Sequence, residues 1–323
     1  MLNKLTIEVD ERYDIHVNHF HGATGNHLFN EPAYFRLHSS SPRDVYAQLV
    51  RRSDAKVYAT VAFFELDDNL YSSPKRGTFG GLSLNHALEF KTIELFVGTL
   101  LTYLTTRGAR AVRLRTAPAS HDLATFSVTL NLLTRNGFHV TTQELNYDLR
   151  VDDRPFLDRL DYGNAKRLRK AAREGFFAER VGHESCESVH AVIEQNRSRL
   201  GVSVSMSAAQ LRQMVDLFPE KLHFFAAFRD VARSEMVAAS VCIALTESIF
   251  YVFYWGDIDG VSAYSPIVLL ASTIYEYCQQ NGFTVLDAGI STLRGEPNYG
   301  LMRFKRNLGF EESAKLDFEL RAA

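Results

Sequence analysis

The chain repeats one order of helix-like and strand-like segments, and this repeat constrains its fold more than any other feature. Each half contains a long segment with an apolar stripe, a strand-like segment, a second helix-like run and a closing strand-like segment. The helix-like segments end at glycines, which suit the left-handed position after a helix: Gly108, Gly137, Gly282 and Gly309. The paired glycines are similarly spaced in the two halves. The repeat predicts a duplicated α/β unit, although common helix stops could also produce it by convergence.

The expected domain organisation follows from chain length and from the strands upstream of each repeat. At 323 residues the chain exceeds the usual size of one hydrophobic core, which favours two domains. Alternating segments separated by polar turns predict antiparallel strands at 57–66, 77–84, 223–230, 236–245 and 248–257. The segment 67–76 between the first two reads as a turn-rich insert. We predict an α/β protein with mixed sheets and domains 1–151 and 152–323.

Charge and cysteine content limit the class of protein. The net charge is −2, so contact with a nucleic acid would need a local basic patch. The three cysteines, Cys186, Cys242 and Cys278, are odd in number and far apart, which indicates a reducing compartment rather than a disulfide framework. The N-terminus lacks the apolar region of a signal peptide, and no segment has 18 uninterrupted apolar residues. The expected location is the cytoplasm.

The segments VLDAGIST (285–292) and NYGLMRFKRNLGF (298–310) carry the most specific motif. The first reads as a buried strand that ends in Asp287 and a glycine, and the second as a helix in which Lys305 lies beside an apolar stripe. This combination resembles the peptidoglycan-bridge (Fem) aminoacyl ligases and their FemAB-like relatives. Those proteins are acyltransferases built from two tandem GNAT-type domains, so the resemblance implies two tandem GNAT-like domains here.

The motif places the expected active site in the C-terminal domain, and degeneration of the N-terminal domain would be typical after duplication. By analogy, Phe304 and Lys305 line the transfer site, with Arg303, Tyr299 and Ser291 as further substrate-binding residues. A lysine there can stabilise developing negative charge, and Asp287 can orient a nucleophile or accept a proton. Alternatively, the lysine faces water and the aspartate caps the next segment.

A basic run, 164–175, is the second candidate site. It holds five cations within eight residues, and Asn164 is the expected N-cap of a helix. Fem-type proteins carry a similar helix at the start of the second domain. Arg169 and Lys170 would then bind phosphates of a polyanionic substrate. The alternative is a solvated helix face.

The aromatic strand 249–257 and the segment after it are expected to border the acyl-donor cleft. Tyr254, Trp255, Tyr264 and Ser265 are the candidate lining residues, although alternating aromatics also serve plain sheet packing. Neither half has the loop that cradles the CoA pyrophosphate in ordinary GNAT acetyltransferases, and the acidic residues of 256–260 would repel phosphate. No tightly bound cofactor is expected. The donor, an acyl-CoA or an aminoacyl-tRNA, is a phosphate-carrying co-substrate that the sequence leaves undecided.

The remaining polar clusters predict no metal and no covalent nucleophile. His19 and His21 would share a strand face, but His16 has the wrong register and no cysteine or spaced carboxylate completes a ligand set. No Cys–His or G-x-S-x-G pattern is present, so transfer should be direct. The predicted function is transfer of an acyl or aminoacyl group to an amine or hydroxyl of a small or cell-envelope-precursor acceptor. The alternatives are a non-catalytic ligand-binding protein on the duplicated scaffold and a nucleic-acid-binding module.

Overall fold

A computed structural model describes residues 2–22 and 27–321. The strands, in chain order, are β1 (Leu5–Glu8), β2 (Tyr13–Val17), β3 (Val45–Arg51), β4 (Val57–Glu65), β5 (Leu70–Ser73), β6 (Ser83–Leu84), β7 (Ala111–Arg115), β8 (His139–Arg150), β9 (Phe177–Val181), β10 (Leu222–Phe228), β11 (Met236–Ala244), β12 (Ile249–Asp257), β13 (Val285–Ile290), β14 (Thr292–Leu293), β15 (Glu296–Pro297) and β16 (Glu311–Arg321). The α-helices are α1 (Pro32–His38), α2 (Phe90–Thr106), α3 (Leu123–Arg135), α4 (Tyr162–Arg173), α5 (Cys186–Arg199), α6 (Ala208–Leu217), α7 (Pro266–Gln280) and α8 (Tyr299–Asn307).

The chain divides into two compact units. Unit 1 comprises Met1–Leu145 with Ser313–Ala323, and unit 2 comprises Asn146–Glu312. The predicted domains, 1–151 and 152–323, were continuous segments, whereas the last strand of the chain joins the first unit. Whether 1–151 and 152–323 fold independently stays a prediction.

Unit 1 is built around a parallel β-α-β crossover. Its strand order is β1-β2-β3-β4-β5-β7-β16-β8, with β6 paired to β4. β5 and β7 are parallel and are connected through α2, whereas β16 runs antiparallel to β7. Phe96 and Leu100 of α2 are buried in one core with Val61 of β4 and Phe318 of β16. Burial of these apolar side chains holds the helix to the sheet.

Unit 2 repeats the same plan. Its strand order is β8 (residues 146–150)-β13-β12-β11-β10-β9. The strands β9 to β12 pair antiparallel with one another. In contrast, β12 and β13 are parallel and are connected through α7. The helix α8 follows β13, as α3 follows β7 in unit 1. The predicted α/β class with mixed sheets is confirmed.

Three local predictions were wrong. The segment 67–76 is not merely a turn-rich insert, because it contains β5, which pairs with β7. Only Ser83–Leu84 of the predicted strand 77–84 is a strand. The basic helix begins earlier than predicted: the carboxylate of Asp161 accepts the N–H of Asn164, which lies buried inside α4. An aspartate side chain that reaches the third helical N–H is a favourable N-cap, so Asp161 sets the start of the helix.

Candidate functional site

The parallel strands β12 and β13 separate part-way along their length. Their pairing covers Ile249 to Tyr251 opposite Val285 to Asp287, although both strands continue beyond it. The register of β13 with β8 also breaks between Asp287 and Ile290, and Gly289 has a φ of 74°. Only glycine adopts that conformation readily, so the turn in β13 depends on Gly289. The separation leaves backbone groups that need partners outside the sheet.

Lys305 of α8 supplies those partners. Its side chain is 1% exposed, and Nζ donates to the carbonyl oxygens of Gly289 at 2.8 Å and Ile290 at 2.9 Å. The ring of Tyr147 lies 5.4 Å from the same nitrogen. The alternative that this lysine faces water is therefore excluded. The prediction that the helix directs Lys305 toward β13 agrees with these contacts.

The pKa of Lys305 is lowered from its usual 10.5 to about 7. Burial is the main cause, because a desolvated ammonium is disfavoured, and the positive charge of Arg197 acts in the same direction. The negative charge of Asp287 opposes both. A lysine with this pKa exchanges protons near neutral pH, a property that is common in catalytic groups.

Asp287 is fully buried and lies inside β13 rather than at its end. Its Oδ1 accepts the N–H of Gly289 at 2.6 Å and the side-chain amide of Asn146 at 2.8 Å. The carboxylate therefore fixes the turn that presents the two carbonyls to Lys305. The predicted role of Asp287, to orient a nucleophile or accept a proton, stays a prediction.

Ser291 follows directly on the turn. Its hydroxyl oxygen is buried and has no hydrogen-bond partner among the described residues. Most buried polar side-chain atoms do have a partner, so an orphaned hydroxyl suits a ligand group.

The aromatic residues predicted to line the cleft make two separate sets of contacts. Trp255 of β12 packs edge-on against Phe304 of α8, with ring centroids 6.1 Å apart. Tyr254 is buried and its hydroxyl is hydrogen-bonded to that of Ser205. The structure therefore brings Trp255 and Phe304 together and directs Tyr254 to a different partner. Of the other residues predicted on α8, Tyr299 is 73% exposed and Arg303 is also exposed.

Tyr264 and Ser265 directly precede α7, and Lys170 of α4 reaches Tyr264. The ammonium of Lys170 stands 4.6 Å from the ring centroid of Tyr264, which stacks on Phe176. Ser265 has a left-handed backbone with φ 46°, and its side chain makes no capping hydrogen bond to α7. Arg169 is exposed on α4. The structure thus brings part of the predicted basic helix to the N-terminus of α7, where the helix dipole favours anions.

Sequence reasoning missed a cation on α5. Arg197 is half-buried, and its charge helps to lower the pKa of Lys305 and opposes the rise that burial causes in the pKa of Tyr254, which places it near both. It has no ion-pair partner among the described residues. Its neighbours in sequence gave no signal, because it lies in a polar run whose role depends on packing against β12.

A second arginine of α5 changes the electrostatics of β12. Arg199 pairs with Asp257 at 2.7 Å and with Asp259 at 3.3 Å. The expectation that these carboxylates would repel a phosphate is therefore weakened, because their charge is compensated.

The sequence matches no protein-family model and no curated protein, whereas several solved structures share the fold. The crystal structure of FemX matches with a TM-score of 0.70 at 13% identity, covering 99% of this chain and 98% of that one. L-PGS from Bacillus licheniformis matches with a TM-score of 0.56 at 13% identity, over 82% and 81% of the two chains. A tandem GNAT protein from the clavulanic acid biosynthesis pathway matches with a TM-score of 0.50 at 11% identity, over 90% and 87%.

These likenesses show the fold. The chain shares the fold of FemX and of a tandem GNAT protein, which confirms the predicted fold. Among residues 2–22 and 27–321, no helix combines the length and the hydropathy that crossing a bilayer requires.

Proposed function

We propose that this protein is an acyltransferase that moves an acyl or aminoacyl group directly onto an amine or hydroxyl of a small or cell-envelope-precursor acceptor. The observation that carries the proposal is the buried Lys305, which is held by two carbonyl groups where β12 and β13 separate and whose pKa is lowered to about 7. The tandem GNAT-type fold and the resemblance of 285–310 to the FemAB-like motif support it.

Lys305 is assigned the stabilisation of charge on the donor carbonyl. An ammonium has three N–H donors, and two of them bind Gly289 and Ile290. We assign the third to the carbonyl oxygen of the donor, which becomes negative as the acceptor attacks. In this step the acceptor nitrogen or oxygen forms a bond to the carbonyl carbon, and the bond to the donor's sulfur or oxygen breaks. The proton that the acceptor loses ends on the leaving group. Preorganised donors of this kind contribute strongly to acyl transfer.

Asp287 is assigned a positioning role. It is fully buried and holds the N–H of Gly289, so it fixes the carbonyls that orient Lys305. Ser291 offers its unpaired hydroxyl to a polar group of the acceptor, and Arg197 offers a cation to an anionic one. Trp255 and Phe304 supply apolar contact beside them.

The donor carries phosphates and binds at the start of α7. The proposed cationic surface comprises Lys170 over Tyr264, the exposed Arg169 and the N-terminus of α7. Both acyl-CoA and aminoacyl-tRNA present phosphates to such a surface. Their shared chemistry supports the proposal for either donor, and binding measurements must decide between them.

A non-catalytic ligand-binding protein remains the second candidate. The observation in its favour is that the contacts of Lys305 also have a purely structural use, since they satisfy two backbone carbonyls.

The test begins with thermal melting of the protein with CoA, acyl-CoAs, aminoacyl-tRNA and UDP-linked cell-wall precursors. A ligand at 100 times its dissociation constant should stabilise the folded state by about 2.7 kcal/mol. Lys170→Ala should weaken donor binding, whereas Lys91→Ala, which removes an exposed cation from α2, should not.

Transfer is then followed by mass spectrometry of the acceptor. Lys305→Met should retain donor binding and lose transfer by about 100-fold or more, as expected when an oxyanion donor is removed. Undiminished transfer by a folded Lys305→Met protein would overturn the role of Lys305. Ligand binding without transfer by the wild type would favour the non-catalytic candidate.

A further inference from the structure

Three histidine rings of unit 1 meet at the end of β2. His16 lies on β2, and His19 and His21 lie in the segment after it. The ring centroid of His16 lies 4.9 Å from that of His19 and 4.8 Å from that of His21. One ring nitrogen from each of the three lies within 4.8 Å of the other two. The expectation that His16 has the wrong register fails, because the chain leaves the strand after Val17.

The backbone of this segment is fixed by buried side chains. Asn18 and Phe20, on either side of His19, have φ of 58° and 60° and so turn the chain back on itself. The side chain of Asn18 accepts the N–H of Tyr46 and donates to the carbonyl of Asp44.

His21 is held from the neighbouring strand. The buried amide of Gln48 binds both the N–H and the carbonyl of His21, each at 2.8 Å. Metal sites need ligands that are held in place by their surroundings, and this segment meets that requirement.

One ring nitrogen of the cluster has no partner among the described residues, and two others are hydrogen-bonded to each other. His19 Nε2 is buried and has no hydrogen-bond partner among the described residues. His16 Nδ1 and His21 Nε2 lie 2.6 Å apart.

We propose that His16, His19 and His21 bind one divalent transition-metal ion, for which Zn²⁺ is the natural probe. Imidazole nitrogens suit this class of ion, and three of them leave a fourth position for water or an external ligand. Ligand nitrogens around a tetrahedral Zn²⁺ lie about 3.3 Å apart, given Zn–N bonds of about 2.0–2.1 Å. Small ring rotations that separate His16 from His21 and draw His19 inward would reach that spacing.

The test uses the full chain without a histidine tag, stripped with EDTA and then equilibrated with Zn²⁺. After gel filtration we expect one Zn²⁺ per chain and a raised Tm. Co²⁺ in place of Zn²⁺ should give the visible absorption bands of a nitrogen-ligated ion. His19→Asn is the most informative variant, because no hydrogen bond of its Nε2 is lost, and His16→Gln is the second. Both should lose the bound metal and the rise in Tm.

His139→Gln is the matched control, since His139 is exposed on β8 and lies outside the cluster. It should bind Zn²⁺ as the wild type does. The proposal is overturned if the wild type leaves the column without metal, because His16 and His21 then form only a hydrogen-bonded pair. It is also overturned if folded His19→Asn and His16→Gln proteins bind as much metal as the control.

Discussion

Lys305 has exchanged the hydration of its ammonium for two carbonyl oxygens and the face of Tyr147. Transfer of a charge out of water is unfavourable by several kcal/mol, and only part of that is recovered from neutral partners. The nearby carboxylate of Asp287 offsets some of the remainder. The desolvation that these contacts do not offset accounts for a pKa of Lys305 near neutrality.

Stability should therefore depend on pH through Lys305. Its pKa is about 7 in the folded state and returns to about 10.5 on unfolding, so between these values the unfolded chain binds more protons. The contribution of Lys305 to the free energy of unfolding then rises with pH, by at most about 1.4 kcal/mol per pH unit. Urea unfolding at pH 7 and pH 9 should show the wild type gaining roughly 2 kcal/mol relative to Lys305→Met. The same comparison for Lys91→Met should show no such change, and identical pH profiles for wild type and Lys305→Met would refute the shift.

Ser291 should affect ligand binding without supporting the fold. A buried hydroxyl without a partner is destabilising, so Ser291→Ala should leave the free energy of unfolding unchanged or raise it by up to about 1 kcal/mol. Ser240→Ala is the control, because the Ser240 hydroxyl donates to the carbonyl of Tyr254 at 2.8 Å. Ser240→Ala should lower the free energy of unfolding by about 1 kcal/mol. Denaturant unfolding and ligand-dependent melting measure both effects. A loss of stability in Ser291→Ala equal to that in Ser240→Ala would mean that the hydroxyl has a structural partner.

Sequence predicted the residues of this site that belong to a motif and missed those that reach it through packing. Phe304 and Lys305 follow a strand that contains D-x-G at a recognisable spacing, so the place of Lys305 beside β13 could be inferred. Arg197 could not, because its effect on Lys305 arises from charge acting between α5 and α8. Nothing in its local sequence distinguishes it from the neighbouring surface arginines.

At the level of elements, the helix α4 depends on one capping interaction. The carboxylate of Asp161 accepts the N–H of Asn164 at 3.0 Å, and the same helix carries Lys170 to Tyr264. Asp161→Ala should lower the free energy of unfolding by about 1 kcal/mol and weaken the proposed donor binding. Asp161→Asn should retain most of the stability and most of the donor binding, since asparagine caps a helix nearly as well as aspartate. Urea unfolding and donor titration measure the two effects. Equal stability of Asp161→Ala and wild type would show that the cap is unimportant.

The sequence identified the strands that are long and apolar and missed a short polar one. The strands β10, β11 and β12 are long, apolar and separated by short polar turns, so their sequence identified them. The strand β5 has four residues, LYSS, next to aspartates and a proline, and its local sequence indicates a turn. It is a strand because it pairs in parallel with β7, and tertiary pairing overrides weak local preference.

At the scale of the whole molecule, most of the last strand, β16, belongs to unit 1 and not to the unit that precedes it in sequence. β16 pairs antiparallel with β7, with Asp317 opposite Arg115 and Glu319 opposite Arg113. Leu316 and Phe318 are buried in the core of unit 1. Sequence could not predict this pairing, because the closing strands of the two halves alternate alike and a long-range partner leaves no local signal.

This membership predicts how fragments will behave. A fragment of residues 1–151 lacks β16, so β7 and β8 lose the strand between them and the core loses Leu316 and Phe318. Loss of one core phenylalanine is unfavourable by about 3–5 kcal/mol, a large part of the roughly 5–15 kcal/mol that stabilises a domain. We therefore expect 1–151 to melt without a cooperative transition. A protein in which residues 1–145 are joined by a flexible linker to 313–321 should melt cooperatively. Circular dichroism and hydrogen exchange measure this difference. Cooperative melting of 1–151 alone, at the temperature of the joined fragment, would show that β16 is dispensable and that the continuous domain is the folding unit.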